Sequence, residues 1–228
     1  MTWSAEASAA WMDDARRVAR EWKLPLYERP RRRGLVQQLG VVASSFLVRS
    51  GRGWQLVDAE GELGVSPGIA MLRLKRLASG AQMPDLLVRL AALTAGEVVI
   101  DATLGLGADA RVLASTVGST GKVIGLESSK PLAVLMAEGL KLETPWPNSA
   151  PIEVHHSAAH AFLKAPPSKS ADVVFFDPMF ERTKASSPAF AELRRFADMA
   201  PLDRATVDEA KRVARRLVLM KSSLPEVF

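Results

Sequence analysis

The residues best equipped for chemistry lie in two short stretches. In the first, Asp177-Pro178-Met179-Phe180 follows the apolar run from Asp172 to Phe176. An exocyclic aromatic amine is a poor nucleophile because its lone pair is delocalised into the ring, and acceptors that draw on its hydrogens restore that lone pair. The Asp177 carboxylate and the Pro178 carbonyl can accept those hydrogens, and Phe180 offers a face for a planar base taken out of its stack. The same residues also fit an acidic strand terminus followed by a proline turn, with Phe180 in the core.

The second stretch is Asp101-Ala102-Thr103-Leu104-Gly105-Leu106-Gly107-Ala108-Asp109-Ala110. Gly105 and Gly107 let the backbone turn sharply and approach a ligand, and the helix that follows presents its N-terminal amides. The spacing fits the nicotinamide fingerprint G-x-G-x-x-A, with Glu127 where a ribose-binding acid belongs. It also fits a plain strand-to-helix turn with Asp109 on the helix dipole. Asp101 separates the ligand classes. A carboxylate just before the glycines repels a pyrophosphate but suits the cationic amino-acid group of S-adenosylmethionine, with Glu127 accepting the ribose hydroxyls.

These stretches need elements to hold them. From Glu97 onward, short apolar runs at Val98–Ile100, Lys122–Leu126, Ile152–Val154, Asp172–Phe176 and Leu217–Met220 alternate with helical patterns. The helices fall near Asp109–Ser115, Pro131–Leu140, Ala158–Leu163 and Leu202–Val213. That rhythm predicts a parallel sheet covered on both faces, whose ligands sit at the carboxyl ends of the strands. Asp101, Glu127 and Asp177 then share one crevice.

The first 95 residues read differently. A helix is expected over 5–22, β texture from Leu35 to Asp58 including Val41 and Val42, and a hairpin turning at Ser50-Gly51-Arg52-Gly53. A loop with Gly61, Gly64, Pro67 and Gly68 leads to helices at Ile69–Leu77 and Pro84–Leu93. The expected organisation is an α+β appendage over 1–95 and a ligand-binding α/β domain over 96–228.

Composition narrows the chemistry. The chain has 228 residues, 48% of them hydrophobic and 24% charged, so a folded core needs no covalent staple. With no cysteine at all, thiolate nucleophiles on pyrimidine C5, cysteine-bound iron–sulfur clusters and thiolate zinc sites are excluded. An amine target remains. His155, His156 and His160 lack a convincing third ligand, and no metal is expected. No apolar run is long enough to span a membrane, and a cytoplasmic protein is the expectation. The net charge of +5 is concentrated early, around Arg29, Arg31, Arg32 and Arg33 and at Arg73, Lys75 and Arg76. Such clusters attract polyanions, although a solvated face is the alternative.

With these residues in place, the sequence resembles class I S-adenosylmethionine-dependent methyltransferases, and among them the ribosomal small-subunit rRNA guanine-N2 methyltransferases. The likeness runs from Leu72 to Met220 through Leu72-Arg73-Leu74-Lys75-Arg76-Leu77, the Asp101–Gly107 turn, Gly125-Leu126-Glu127-Ser128 and Asp177-Pro178-Met179-Phe180. Met179 departs from the second proline of the D/N-P-P-Y/F signature. The resemblance implies a Rossmann-like sheet, S-adenosyl-L-methionine as cofactor, and small-subunit rRNA or a ribosomal particle as partner. It places cofactor contacts at Ala108, Asp109, Glu127, Ser128, Ser157, Ala158 and Asp177, beside the Asp101, Gly105 and Gly107 of the turn. Asp177, Pro178 and Phe180 take the catalytic roles. A methyltransferase of a small molecule or protein, a noncatalytic binding module and a nicotinamide oxidoreductase are the competing readings. This fold usually ends in a further helix and two strands, but only Lys221–Phe228 follows the last strand here. The sheet edge must therefore be open, covered by the N-terminal hairpin, or covered by a second copy in a homodimer.

Overall fold

The computed structural model describes residues 1–28, 35, 41–80, 85–178 and 188–222, and for 188–190 the backbone alone. In chain order the elements are β1 (Thr2–Trp3), α1 (Ala9–Glu21), β2 (Phe46–Ser50), β3 (Gly53–Val57), β4 (Glu62–Gly64), α2 (Gly68–Ala78) and α3 (Leu86–Ala91). Then come β5 (Val98–Asp101), α4 (Ala108–Val117), β6 (Lys122–Glu127), α5 (Lys130–Leu140), β7 (Ile152–His156) and α6 (Ala159–Leu163). The last are β8 (Ala171–Phe176), α7 (Pro188–Arg194), α8 (Arg204–Val213) and β9 (Ala214–Met220).

The second half builds a five-stranded sheet in the order β7-β6-β5-β8-β9, with every pairing parallel. Val, Ile and Phe dominate the inner strands because both faces are covered. On one face Val99, Val123, Val173 and Phe175 meet Leu113 and Val117 of α4 and Met136 of α5. On the other, Ile100, Val174 and Phe176 meet Leu163 of α6 and Ala210 and Val213 of α8. The chain starts in the middle at β5, moves out to β7, and returns to β8. The order therefore reverses between β5 and β8, and a crevice opens at their carboxyl ends.

The first half forms its own sheet, β1-β2-β3-β4. Its hairpin turns at Ser50–Gly53, as expected, with Ser50 opposite Gly53. The two short strands β1 and β4 lay outside the expected pattern, and Val41 and Val42 are exposed turn residues rather than strand. Trp3, Leu47, Trp54, Leu56 and Leu63 pack with Ala15 and Val18 of α1 and with Leu132 and Leu135 of α5. Helix α5 is thus clad on both sides, which is why Leu132 through Met136 are all fully buried and the helix reads as apolar all round. Its one deeply buried charge, Glu138, is answered by Arg17 of α1 at 2.7 Å and Lys141 at 2.6 Å.

The hairpin belongs to the first sheet and does not extend the second, so it does not cover β9. Beside β9, Arg216 instead reaches back to the Ala91 carbonyl at 2.7 Å and to Glu97 at 2.9 Å, fastening the end of α3 to the sheet. Among the described residues no helix is long and apolar enough to cross a membrane.

Candidate active site

Strand β5 ends in Asp101, and the chain then bends back on itself. The Ala102 N–H donates to the Phe175 carbonyl and the Leu104 N–H to the Leu126 carbonyl, both at 2.8 Å, which carries the loop over the tops of β8 and β6. Gly105 and Gly107 both adopt left-handed backbone, at φ 51° and 66°. The conformation at Gly107 favours glycine, and a Cβ there would also lie 2.8 Å from Met136 Cε and 3.0 Å from Arg111 Nη1, the movable ends of two side chains. Gly107 caps α4 without a side chain, and Asp109 occupies the first turn.

A cavity of about 280 Å³ opens at these strand ends. Gly105, Glu127, Ser128, Ala158, Asp177 and Pro178 all line it, together with Thr103 and His160. Glu127 is fixed from two sides: the Gly105 N–H donates to Oε2 at 3.0 Å and the Ser129 N–H to Oε1 at 2.8 Å. Burial pushes its carboxyl above the ordinary range, against those two N–H groups. The expected residues Asp101, Gly107, Ala108, Asp109 and Ser157 lie behind or beside this wall rather than on it. Asp101 is 1% exposed, and its Oδ1 accepts the Thr103 N–H at 3.2 Å. Burial, reinforced by Asp109, raises its pKa to about 8. Phe180 lies outside the described residues, as do Met179, Arg182, Lys184 and the Arg29–Arg33 cluster.

Asp177 is held by a network that the sequence reading did not connect, and in which it gave Lys221 and Asp85 no role. Its N–H donates to Thr103 Oγ1 at 2.6 Å. Its Oδ2 accepts from Lys221 Nζ at 2.6 Å, and the same ammonium donates to Asp109 Oδ2 at 2.7 Å. Asp109 Oδ1 in turn accepts from Arg73 Nη1 at 2.6 Å, while Arg73 Nε and Nη2 clasp Asp85. The sequence did hold a signal for Lys221. It stands one residue past β9, and β9 pairs with β8, so it must emerge beside Asp177.

The histidines do not converge. His156 Nε2 lies 3.2 Å from the Ser128 carbonyl oxygen, His155 packs against Phe162, and His160 lines the cavity. Among the described residues no three acidic or histidine side chains are grouped as a metal site would require. A larger cavity, about 710 Å³, lies between α2, α5 and β7 and is walled by Trp22, Met71, Leu140 and Trp146. Among the described residues, none of those expected at the site faces it.

Residues 70–224 match the model of a SAM-dependent methyltransferase family. Over 160 residues the chain is 37% identical to the uncharacterized protein YpiP of Bacillus subtilis, covering 68% of this chain and 62% of that one. It is 35% identical over 111 residues to ribosomal RNA small subunit methyltransferase J of Pseudoalteromonas atlantica, covering 44% of this chain and 42% of the relative. The figure for the protein of that name from Pectobacterium atrosepticum is 32% over 132 residues, 54% of this chain and 51% of the relative. The chain thus spans between about two fifths and three fifths of these relatives. A SAM-dependent methyltransferase from Neisseria gonorrhoeae has the same fold, with a TM-score of 0.60 at 21% identity over 96% of this chain and 82% of its own.

Proposed function

Since the chain belongs to the SAM-dependent methyltransferase family, we propose that it transfers a methyl group from S-adenosylmethionine to an exocyclic amine of a nucleobase, with guanine N2 of small-subunit rRNA as the target. One observation carries the reading: Asp177, Pro178 and Glu127 line one cavity, so an acceptor for amine hydrogens and a hydroxyl acceptor share one space.

The donor set fits the cofactor. Each Glu127 oxygen takes one backbone N–H and retains a further lone pair, enough for two ribose hydroxyls. Gly105 puts no side chain of its own between the turn and the cavity, which Ser128 and Ala158 also line. When bound, S-adenosylmethionine supplies a methyl group on a sulfonium, which leaves as a neutral thioether once nitrogen attacks in line.

The protein's part is positioning and proton control. The Asp177 carboxylate accepts a hydrogen from the amine and returns lone-pair density to nitrogen, and the Pro178 carbonyl accepts the second. The proton lost as nitrogen gains its methyl leaves by way of Asp177. The Thr103 hydroxyl fixes the backbone that carries this carboxylate. The relatives named ribosomal RNA small subunit methyltransferase J support RNA as the substrate class.

The direct test supplies labelled S-adenosylmethionine and unmodified small-subunit rRNA, naked or assembled, and identifies the product nucleoside by mass spectrometry. N2-methylguanosine is expected. A different methylated nucleoside would move the target, and no incorporation into any RNA would overturn the RNA reading.

A further inference from the structure

We propose that Lys221 is a positioning residue for this reaction, its ammonium bridging Asp177 and Asp109 so that the Asp177 carboxylate stays a charged acceptor at the cavity wall. The inference rests on the reading of Asp177 as the amine acceptor and adds a group that no part of that reading requires.

The geometry is specific. Asp177 and Pro178 line the cavity, whereas Lys221 and Asp109 do not, so Lys221 grips the carboxylate from outside the space a substrate would enter. Its backbone is set by the sheet, because the Lys221 N–H donates to the Phe176 carbonyl at 2.9 Å and continues the β8–β9 ladder. Its ammonium also lies 5.5 Å from the centre of the Phe175 ring, an attractive placement for a cation. Arg73 of α2, anchored on Asp85, holds the opposite oxygen of Asp109, which keeps Asp109 aimed at Lys221.

Charge explains why a cation is needed there. Asp177 faces Asp101 from β5, Asp109 from α4 and Lys221 from beyond β9, with Arg73 acting through Asp109. With Asp85 included, four carboxyl groups share two cations. Burial already pushes the Asp177 carboxyl upward and Asp109 adds to this, while Lys221 opposes both. Without Lys221, the Asp177 carboxyl would hold its proton to higher pH, and a smaller share of it would be free to accept one from an amine. A neutral carboxylic acid offers its hydroxyl as a donor, the wrong polarity for the task.

The experiment compares Lys221→Met and Lys221→Arg in the full chain. Lys221 is 43% exposed, and a thermal melt of each variant separates a change in stability from a change in rate. Three further quantities are read: the pH profile of kcat, S-adenosylhomocysteine affinity by calorimetry, and titration of the Asp177 carboxyl by carbon-13 NMR, its signal assigned with Asp177→Asn. Lys221→Met should lower kcat about tenfold or more, the scale of a misplaced catalytic group. It should move the acid limb of the profile and the Asp177 titration upward together by about one unit, the low end for loss of an adjacent opposite charge. Cofactor affinity should hold, and Lys221→Arg should restore most of the rate. An unshifted Asp177 titration in Lys221→Met, or equal losses in both variants without a pH shift, would overturn the proposal. Retained activity in Asp177→Asn would instead remove the reading on which it rests, so the two failures are distinguishable.

Discussion

The backbone N–H of Asp177 donates to the hydroxyl of Thr103 at 2.6 Å across 74 positions of sequence. Two loops that meet only because β5 and β8 are neighbours are thereby fastened at one point. The bond joins the glycine turn to the proposed amine-activating residue.

Thr103→Val keeps the shape and removes that acceptor, leaving an amide unpaired. A loss of about 1–3 kcal/mol in unfolding free energy is expected, together with a fall in kcat larger than any rise in the Michaelis constant for the cofactor. Urea denaturation and steady-state kinetics read the two separately, and Thr103→Ser should recover both.

Asp177→Asn retains the volume of the side chain but weakens acceptance of a hydrogen from the amine. Methyl transfer should drop at least a hundredfold, in the range removal of a proton-handling group produces. S-adenosylhomocysteine binding by calorimetry should fall far less than the rate, since the amide keeps an oxygen and the volume of the side chain. An active variant would sink the assignment of Asp177.

Glu127→Ala removes the acceptor that Gly105 and Ser129 hold in place. If this carboxylate grips the ribose, cofactor affinity should weaken by roughly ten- to a hundredfold, corresponding to hydrogen bonds to a charged group. Equilibrium binding to S-adenosylhomocysteine measures it without any RNA.

Gly107→Ala forces a side chain into a left-handed residue and against Met136 and Arg111. The conformational cost alone is about 1–2 kcal/mol, and displacement of Met136 adds to it. A lowered melting temperature is expected, with reduced cofactor binding because the turn itself must shift.

Asp101 makes stability depend on pH. Its folded-state pKa of about 8 lies well above that of an unfolded aspartate, so the native state holds the proton more tightly. The contribution is therefore full in acid and is lost as pH rises toward 8, at up to about 1.4 kcal/mol per pH unit. Denaturant titrations at pH 5, 6.5 and 8 should show this decline in the wild type. Asp101→Asn should flatten it.

Much of this architecture can be read in the sequence because burial on both faces leaves a plain mark. Val98-Val99-Ile100 and Val173-Val174-Phe175-Phe176 are apolar without alternation, and each ends in an aspartate at a strand terminus. The glycine turn is equally legible, since two left-handed residues tolerate little else. What could not be read is what distant segments do to one another. Lys221 lies 44 positions from Asp177 and carries no motif, and only the pairing of β8 with β9 brings it there, with Asp109 and Arg73 linked behind it. The strands Thr2–Trp3 and Glu62–Gly64 escaped notice for another reason: with two and three residues they show no periodicity.

Helix α5 is a party wall. Met136 faces one sheet, Leu132 and Leu135 face the other, and Glu138 is tied through the wall to Arg17. Neither half of the chain can be lifted away without leaving this helix half naked in water. The two sheets should therefore melt in one transition.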